Sequence, residues 1–189
     1  MSHVRDATIS GFNEYVSDLK KDKKANYKFS LTLFDTEVEQ PYVSVDIKKV
    51  KDLSDKTYQP RGNTALYDAV CKTVKEAKAG DKAIVVILTD GQENASQEYK
   101  LTDMRAIIKK MEKTGKWKFV YLGANQDSYA VGGHFGIAKG NIANFNHSHV
   151  GTVAVMSAMS VGTRSFADSS NTSQDFLTEK QKKDILKAK

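Results

Sequence analysis

Along the chain, apolar side chains recur at two alternating spacings, about 3.6 residues and two residues, and each change of spacing marks a new element. Val4, Phe12, Tyr15, Val16 and Leu19 fall on one face of an opening helix, with Ser2 placed to cap it and the lysine cluster of residues 20–24 at its end. Residues 27–34 (YKFSLTLF) alternate as a strand, and Asp35, Thr36 and Glu37 supply a turn. Val43, Val45 and Ile47 then alternate with Tyr42, Ser44, Asp46 and Lys48. This second strand is half polar and preceded by Pro41, so it reads as an edge strand antiparallel to its neighbour.

A polar loop over residues 51–63 leads to a helix marked by Leu66, Val70, Val74 and Ala77 and stopped at Gly80. The apolar run 83–88 is the next strand. A polar loop to Lys100 follows, then a helix capped by Thr102 with Met104, Ile107, Ile108 and Met111 inward and Gly115 at its end. Residues 117–122 form a strand, 128–135 a short glycine-broken helix, 142–145 a short strand, and about 152–165 a helix. Beyond Phe166 the run ADSSNTSQD is linker-like, and residues 176–189 predict at most a small lysine-rich helix, mobile in isolation. The alternation predicts an α/β fold: a doubly wound, mostly parallel sheet wrapped by helices on both faces, with an antiparallel edge hairpin. We expect residues 1–168 to form one domain and residues 169–189 a polar linker and tail.

Composition adjusts this picture little. The length of 189 residues supports one domain with a substantial core. The net charge of +6 arises from lysines interleaved with acids, and the cluster KKDKK carries its own aspartate. That pattern is a solvated surface, whereas a nucleic-acid stripe would cluster arginines and exposed aromatics. The single cysteine, Cys71, excludes an internal disulfide framework and suits a reducing compartment; in its helical pattern it reads as a small buried apolar residue. No apolar stretch approaches transmembrane length and the N-terminus carries no signal-peptide pattern, so the expectation is a soluble, cytoplasmic protein with no membrane partner.

The candidate chemistry lies in two loops. Residues 85–94 (VVILTDGQEN) hold an apolar run of the kind buried on both faces of a parallel sheet, and it ends in Asp90 and Gly91 at the sheet's carboxyl edge, where ligands of open α/β sheets bind. Residues 61–69 (RGNTALYDA) precede a helix and bring Thr64 to the same edge. A hydroxyl and a carboxylate on loops fixed by a rigid scaffold suit a hard cation such as Mg²⁺. Gly62 lets the first loop turn tightly and Gly91 lets the backbone leave the strand sharply. Taken singly, Thr64 also reads as a helix N-cap and Asp90-Gly91 as an ordinary turn.

With GNTALYDAV, VVILTDGQEN and YLGANQD in this order, the chain resembles a von Willebrand factor type A (VWA) domain of the stand-alone bacterial and phage kind over about residues 2–168. The resemblance implies a metal-ion-dependent adhesion site at the sheet's carboxyl edge, built from a DxSxS motif after the first strand, a threonine matched by Thr64, and an aspartate matched by Asp90. It also implies a non-enzymatic module that binds a protein partner through an acidic residue completing the Mg²⁺ shell. Asn63 and Asn125, with Gly62 and Gly91, would line the ligand surface.

The DxSxS motif is absent, and the opening helix begins within a few residues of Met1. The chain therefore resembles a family member lacking its first, central strand. Thr64 and Asp90 alone would leave most of the Mg²⁺ shell to water and the affinity low. The sheet would need a longer protein, a strand donated by another chain or by the C-terminal segment, or closure over the gap. Rival readings are a homo-oligomeric structural subunit of a phage or bacterial assembly without metal, and a phosphotransferase of the haloacid dehalogenase type; Gln92, where a second carboxylate is needed, counts against the latter. The pair His147 and His149 reads as a solvated loop, the glycines of residues 132–136 as a flexible helix turn, and Asp35 as a turn residue.

Overall fold

The structure is a computed structural model and describes residues 4–77, 82–124, 127–168 and 175–188. Ser2, Gly80 and Asn125, to which the sequence reading gave roles, lie outside the described residues.

Helix α1 (Arg5–Lys21) is followed by the strands β1 (Lys28–Phe34) and β2 (Val38–Asp46), then α2 (Leu66–Glu76), β3 (Ala83–Thr89), α3 (Leu101–Glu112) and β4 (Trp117–Ala124). The short α4 (Ser128–His134), β5 (Ile142–Phe145), α5 (His149–Ala167) and α6 (Glu179–Lys187) complete the chain. Strands β3, β4 and β5 form a parallel sheet in that order, with Val85 beside Phe119 and Leu122 beside Ala143. Strand β4 is buried along its whole length. Its Val120, Leu122 and Ala124 face a cluster with α1 and α5, while Trp117, Phe119 and Tyr121 face a second cluster with α2 and α3. That alternation is the period of a strand covered on both faces. The fold is thus the mixed α/β arrangement expected, with helices on both sides of a parallel sheet.

Strands β1 and β2 form the antiparallel hairpin, Phe29 beside Val45 and Leu33 beside Glu39, with irregular register on either side of Leu31. The irregularity is local: Ser44 takes a left-handed backbone at φ 50°, and its N–H donates to the Ser30 hydroxyl. Among the described residues the hairpin and the parallel sheet are separate, and no backbone hydrogen bond joins β1 to β3. The sheet does not close across the position of the expected central strand.

Two element boundaries move for identifiable reasons. Helix α3 starts at Leu101 because the Lys100 N–H is held by the Asp103 carboxylate at 2.8 Å, so Thr102 sits inside the first turn instead of capping it. Helix α5 starts at His149 because the Ser148 hydroxyl accepts the Gly151 N–H. The lysine-rich segment after residue 174 is helical as expected, but it is anchored to the rest of the chain. Phe176, Leu177 and Ile185 are buried in the cluster with α1 and α5. The Phe176 N–H donates to the Asn141 side chain, and the Lys182 ammonium donates to the Lys139 carbonyl and the Glu179 carboxylate. It covers α5 and β5, not the gap beside β3.

Docking of α6 is testable. Ile185 is 2% exposed, so Ile185→Ala should lower stability by about 2 kcal/mol or more. A urea titration should show a lower midpoint with unchanged slope, and an unaltered midpoint would show that this helix docks nothing.

Candidate functional site

The carboxyl ends of β1 and β3 are joined at one rim by the loop before α2. The Asp35 carbonyl accepts the Ala65 N–H at 2.6 Å, tying that loop to β1. On its other side Thr64 meets the loop after β3: its N–H donates to the Asn94 side chain at 2.8 Å, and its carbonyl accepts the Asn94 N–H at 3.1 Å. The Thr64 hydroxyl lies against the Gly91 backbone so closely that a β-carbon at Gly91 would overlap it. Glycine is required there by close approach. Thr64 and the Asp90-Gly91 turn, separated in sequence, are therefore neighbours in space.

Asp90 reaches a partner that the sequence reading set aside. Its carboxylate lies 3.3 Å from His147 Nε2. His147 follows β5 and its side chain is 7% exposed, so the expectation of a solvated histidine loop is corrected. Parallel strands β3 and β5 deliver both residues to the same edge, a relation invisible to local pattern. His149 opens α5 and is exposed, so HSH does not act as a pair. Tyr58 completes the group: burial, with the Asp90 charge and against its Thr8 hydrogen bond, pushes its phenol up to about 12.

The loop after β3 is locked to the start of α2. Ala65 occupies the N-cap without a side-chain bond, so Thr64 is not the cap. Instead the orphan Tyr67 N–H donates to Glu93 and Ser96, and the Asp68 N–H donates to Ser96. The buried Asp68 carboxylate accepts in return from the N–H groups of Gln97, Glu98 and Tyr99, at 2.8 to 3.1 Å. The sequence reading missed Asp68, Glu93 and Ser96; an acid in the first turn of α2, amid buried apolar positions, was the available signal.

Gly62 does not supply the tight turn: the left-handed backbone is at Asn63, φ 68°, whose side chain donates to the Thr36 hydroxyl at 3.0 Å. Asparagine tolerates that conformation better than most side chains. Arg61 pairs with Asp35 and, at 3.0 Å, with Glu39. Burial acts to raise the Asp35 carboxyl, but the Glu37 N–H and Arg61 outweigh it and hold it below the usual range. Asp35 is a turn residue as read, accepting the Glu37 N–H at 2.8 Å. Gly132 packs against Ile142 and Tyr121, so part of the glycine run serves close helix-to-strand packing.

A tightly held Mg²⁺ does not fit the residues present. Among the described residues no three His, Cys, Asp or Glu side chains gather as ligands. Asp90 lies 3.3 Å from His147 Nε2, and the Thr64 hydroxyl turns toward Gly91. Mg²⁺ demands near-octahedral oxygen coordination, which these two side chains leave almost wholly to water.

Proximal thread matrix protein 1 of the mussel byssus, solved in two crystal forms, has a similar structure. TM-scores are 0.61 and 0.62 at 16% and 15% identity, covering 82% and 83% of this chain and 39% and 40% of the other. A third structure of that protein, described with a zinc-occupied MIDAS motif, gives a TM-score of 0.59 at 12% identity over 83% of this chain and 42% of the other. The fold is VWA-like. At these identities the likeness concerns the fold alone, and this chain spans about two fifths of the length of that protein. No family model and no curated protein matches the sequence. No helix among the described residues is long and apolar enough to cross a membrane.

Two measurements test this rim of the VWA-like domain. Gly91→Ala should destabilise by about 1 to 3 kcal/mol, and Thr64→Ala in the same chain should recover most of the loss. Additive losses in that double-mutant cycle would mean the two loops do not touch. The depressed Asp35 carboxyl adds stability that is complete above its unfolded value near about 4 and lost as pH falls through its lower folded value. Arg61→Ala should lower the urea midpoint at pH 6 and flatten its decline between about pH 4 and 2.

Proposed function

We propose that the chain is a non-enzymatic protein-interaction module that engages a protein partner at the rim of Thr64, Asp90 and His147, without a tightly held metal. The observation that carries this reading is the apposition of Thr64 and Gly91 beside a carboxylate that lies 3.3 Å from a buried imidazole. The loops are braced by Asp68, Glu93 and Ser96, and such bracing gives a preformed surface. Arg61, half-exposed beside Gly62 and Asn63, offers guanidinium donors to an acidic residue of the partner. Mg²⁺ would be held only if a further chain or segment supplied oxygen ligands. The similarity to a byssus matrix protein is in keeping with a structural role, and since one structure of that protein is described with a zinc-occupied MIDAS motif it does not bear on metal independence here. A bacterial or phage assembly in the cytoplasm is the setting we favour.

An enzyme of the phosphotransferase type is the weaker reading. Asp90 is followed by Gly91 and Gln92 and so lacks the second carboxylate. Cys71 is fully buried, and burial pushes its thiol up to about 11, far from a nucleophile at neutral pH.

Cross-linking in the native lysate followed by quantitative mass spectrometry should identify a partner whose capture falls about tenfold, ~1.4 kcal/mol, in Asp90→Ala and Arg61→Glu but not in Leu186→Ala, on exposed α6 surface. EDTA should leave capture intact, and an aryl phosphate should not turn over. Capture indifferent to the rim variants would overturn the proposal, and loss on EDTA would show that metal completes the site.

A further inference from the structure

Two lysine runs distant in sequence meet at the end of the hairpin opposite the rim. The first, Lys21, Lys23 and Lys24, ends α1 and leads into β1; the second, Lys48, Lys49 and Lys51, follows β2. Lys20 reaches across, its ammonium donating to the Val50 carbonyl at 2.6 Å. The Ile47 N–H donates to the Tyr27 carbonyl at 3.1 Å, and Lys28 stands beside Asp46 in the hairpin register. Ile47 and Val50 are buried in the cluster with α1, which anchors the second run beside the first. The six lysines of the two runs and Lys28 are exposed, and among the described residues none of them is in an ion pair. The acids between them turn to local donors. Asp22 accepts the Tyr27 hydroxyl at 2.6 Å and the Lys24 N–H at 2.8 Å, which hold its carboxyl below the usual range, and Asp46 accepts the Lys48 N–H at 2.8 Å. Seven exposed lysines against Asp22, Asp46 and Asp52 place most of the chain's net charge of +6 at this one end.

We propose that this lysine surface docks an acidic segment, a short run of Glu and Asp, of a partner protein. Crowded like charges repel one another, and an anion of complementary pattern relieves that repulsion. Three features favour a peptide over a phosphate array. A compact ammonium on a flexible stem reads charge and little else, whereas phosphates are matched by the planar fork of arginine, and neither run contains one. Tyr27 and Tyr42, the aromatic side chains beside the runs, are half-buried with their hydroxyls bound to Asp22 and the Lys51 N–H, so no ring is offered to a nucleic-acid base. The large apolar side chains exposed among the described residues, Tyr129, Val150, Val161 and Leu186, lie outside this surface, so none would enter a bilayer here. The interleaved Asp22, Asp46 and Asp52 act in the same direction. A continuous phosphate surface would be pressed against those carboxylates, while a peptide can set its own acids against the lysines alone. This inference does not depend on the rim reading.

The test is fluorescence anisotropy of a labelled oligoglutamate peptide titrated with the whole chain at low salt. Lys23→Glu with Lys24→Glu, and separately Lys48→Glu with Lys49→Glu, should each weaken binding about tenfold. The same charge change at Lys109 and Lys110, exposed on α3, should weaken it by less than about twofold. The milder Lys48→Gln with Lys49→Gln should act in the same direction, about threefold, and arginine at both positions should restore binding. Urea midpoints equal to that of the parent show that the variants fold, and Asp90→Ala should bind equally, which separates this surface from the rim. An absence of binding, a loss confined to one run, or an equal loss from the α3 variant would overturn the proposal. Tighter binding of duplex DNA or of phosphatidylserine vesicles, lost in the same variants, would overturn it in favour of a phosphate partner. Self-association of the chain without peptide, lost in those variants, would overturn it in favour of a second copy.

Discussion

A strand covered by helices on both faces can satisfy its backbone only through its two edges, and the rest of this molecule follows from how well each strand meets that requirement. Strand β4 meets it completely, with β3 on one side and β5 on the other, and it carries the most deeply buried aromatic side chains of the sheet, Phe119 and Tyr121. An unmade buried backbone hydrogen bond costs on the order of 1 to 3 kcal/mol, comparable with a large part of a domain's net stability if repeated along an edge. Strands β1 and β3 each leave one edge without a strand partner among the described residues, and both are only half-buried. The helices around them pack against both strands: Thr73 of α2 meets Thr32 of β1, and residues of β1 and β3 share apolar clusters with α1 and α2.

The rim inherits its order from the same layer. Because β3, β4 and β5 are parallel, their carboxyl ends deliver Asp90 and His147 to one side, and the loop before α2 adds Thr64 through a contact that only glycine at position 91 permits. Asp68 and Glu93 satisfy backbone donors at the entrance of α2 and in the loop beside it.

Much of this was legible in the sequence because it rests on local periodicity. The strand at 142–145 and the spans of β1, β3 and α4 follow from spacing alone, and the meeting of Thr64 with the Asp90 loop follows from placing both at the carboxyl edge. What escaped depends on partners distant in sequence. His147 looked like a solvent residue because the group it meets, Asp90, lies far earlier in the sequence. The tail looked mobile because lysine dominates it, although Phe176, Leu177 and Ile185 supply enough apolar surface to dock. The turn attributed to Gly62 is made by Asn63, since a side chain that bonds the neighbouring loop can stabilise a left-handed backbone that glycine merely tolerates.

Cys71 sits fully buried in α2, within the cluster shared by β1 and β3. An alkylating reagent in solution meets no sulfur until that helix lifts away from the strands. The chain's lone thiol is thus an internal clock for the opening of its own interior, and anything that seals the layer beneath α2 slows it.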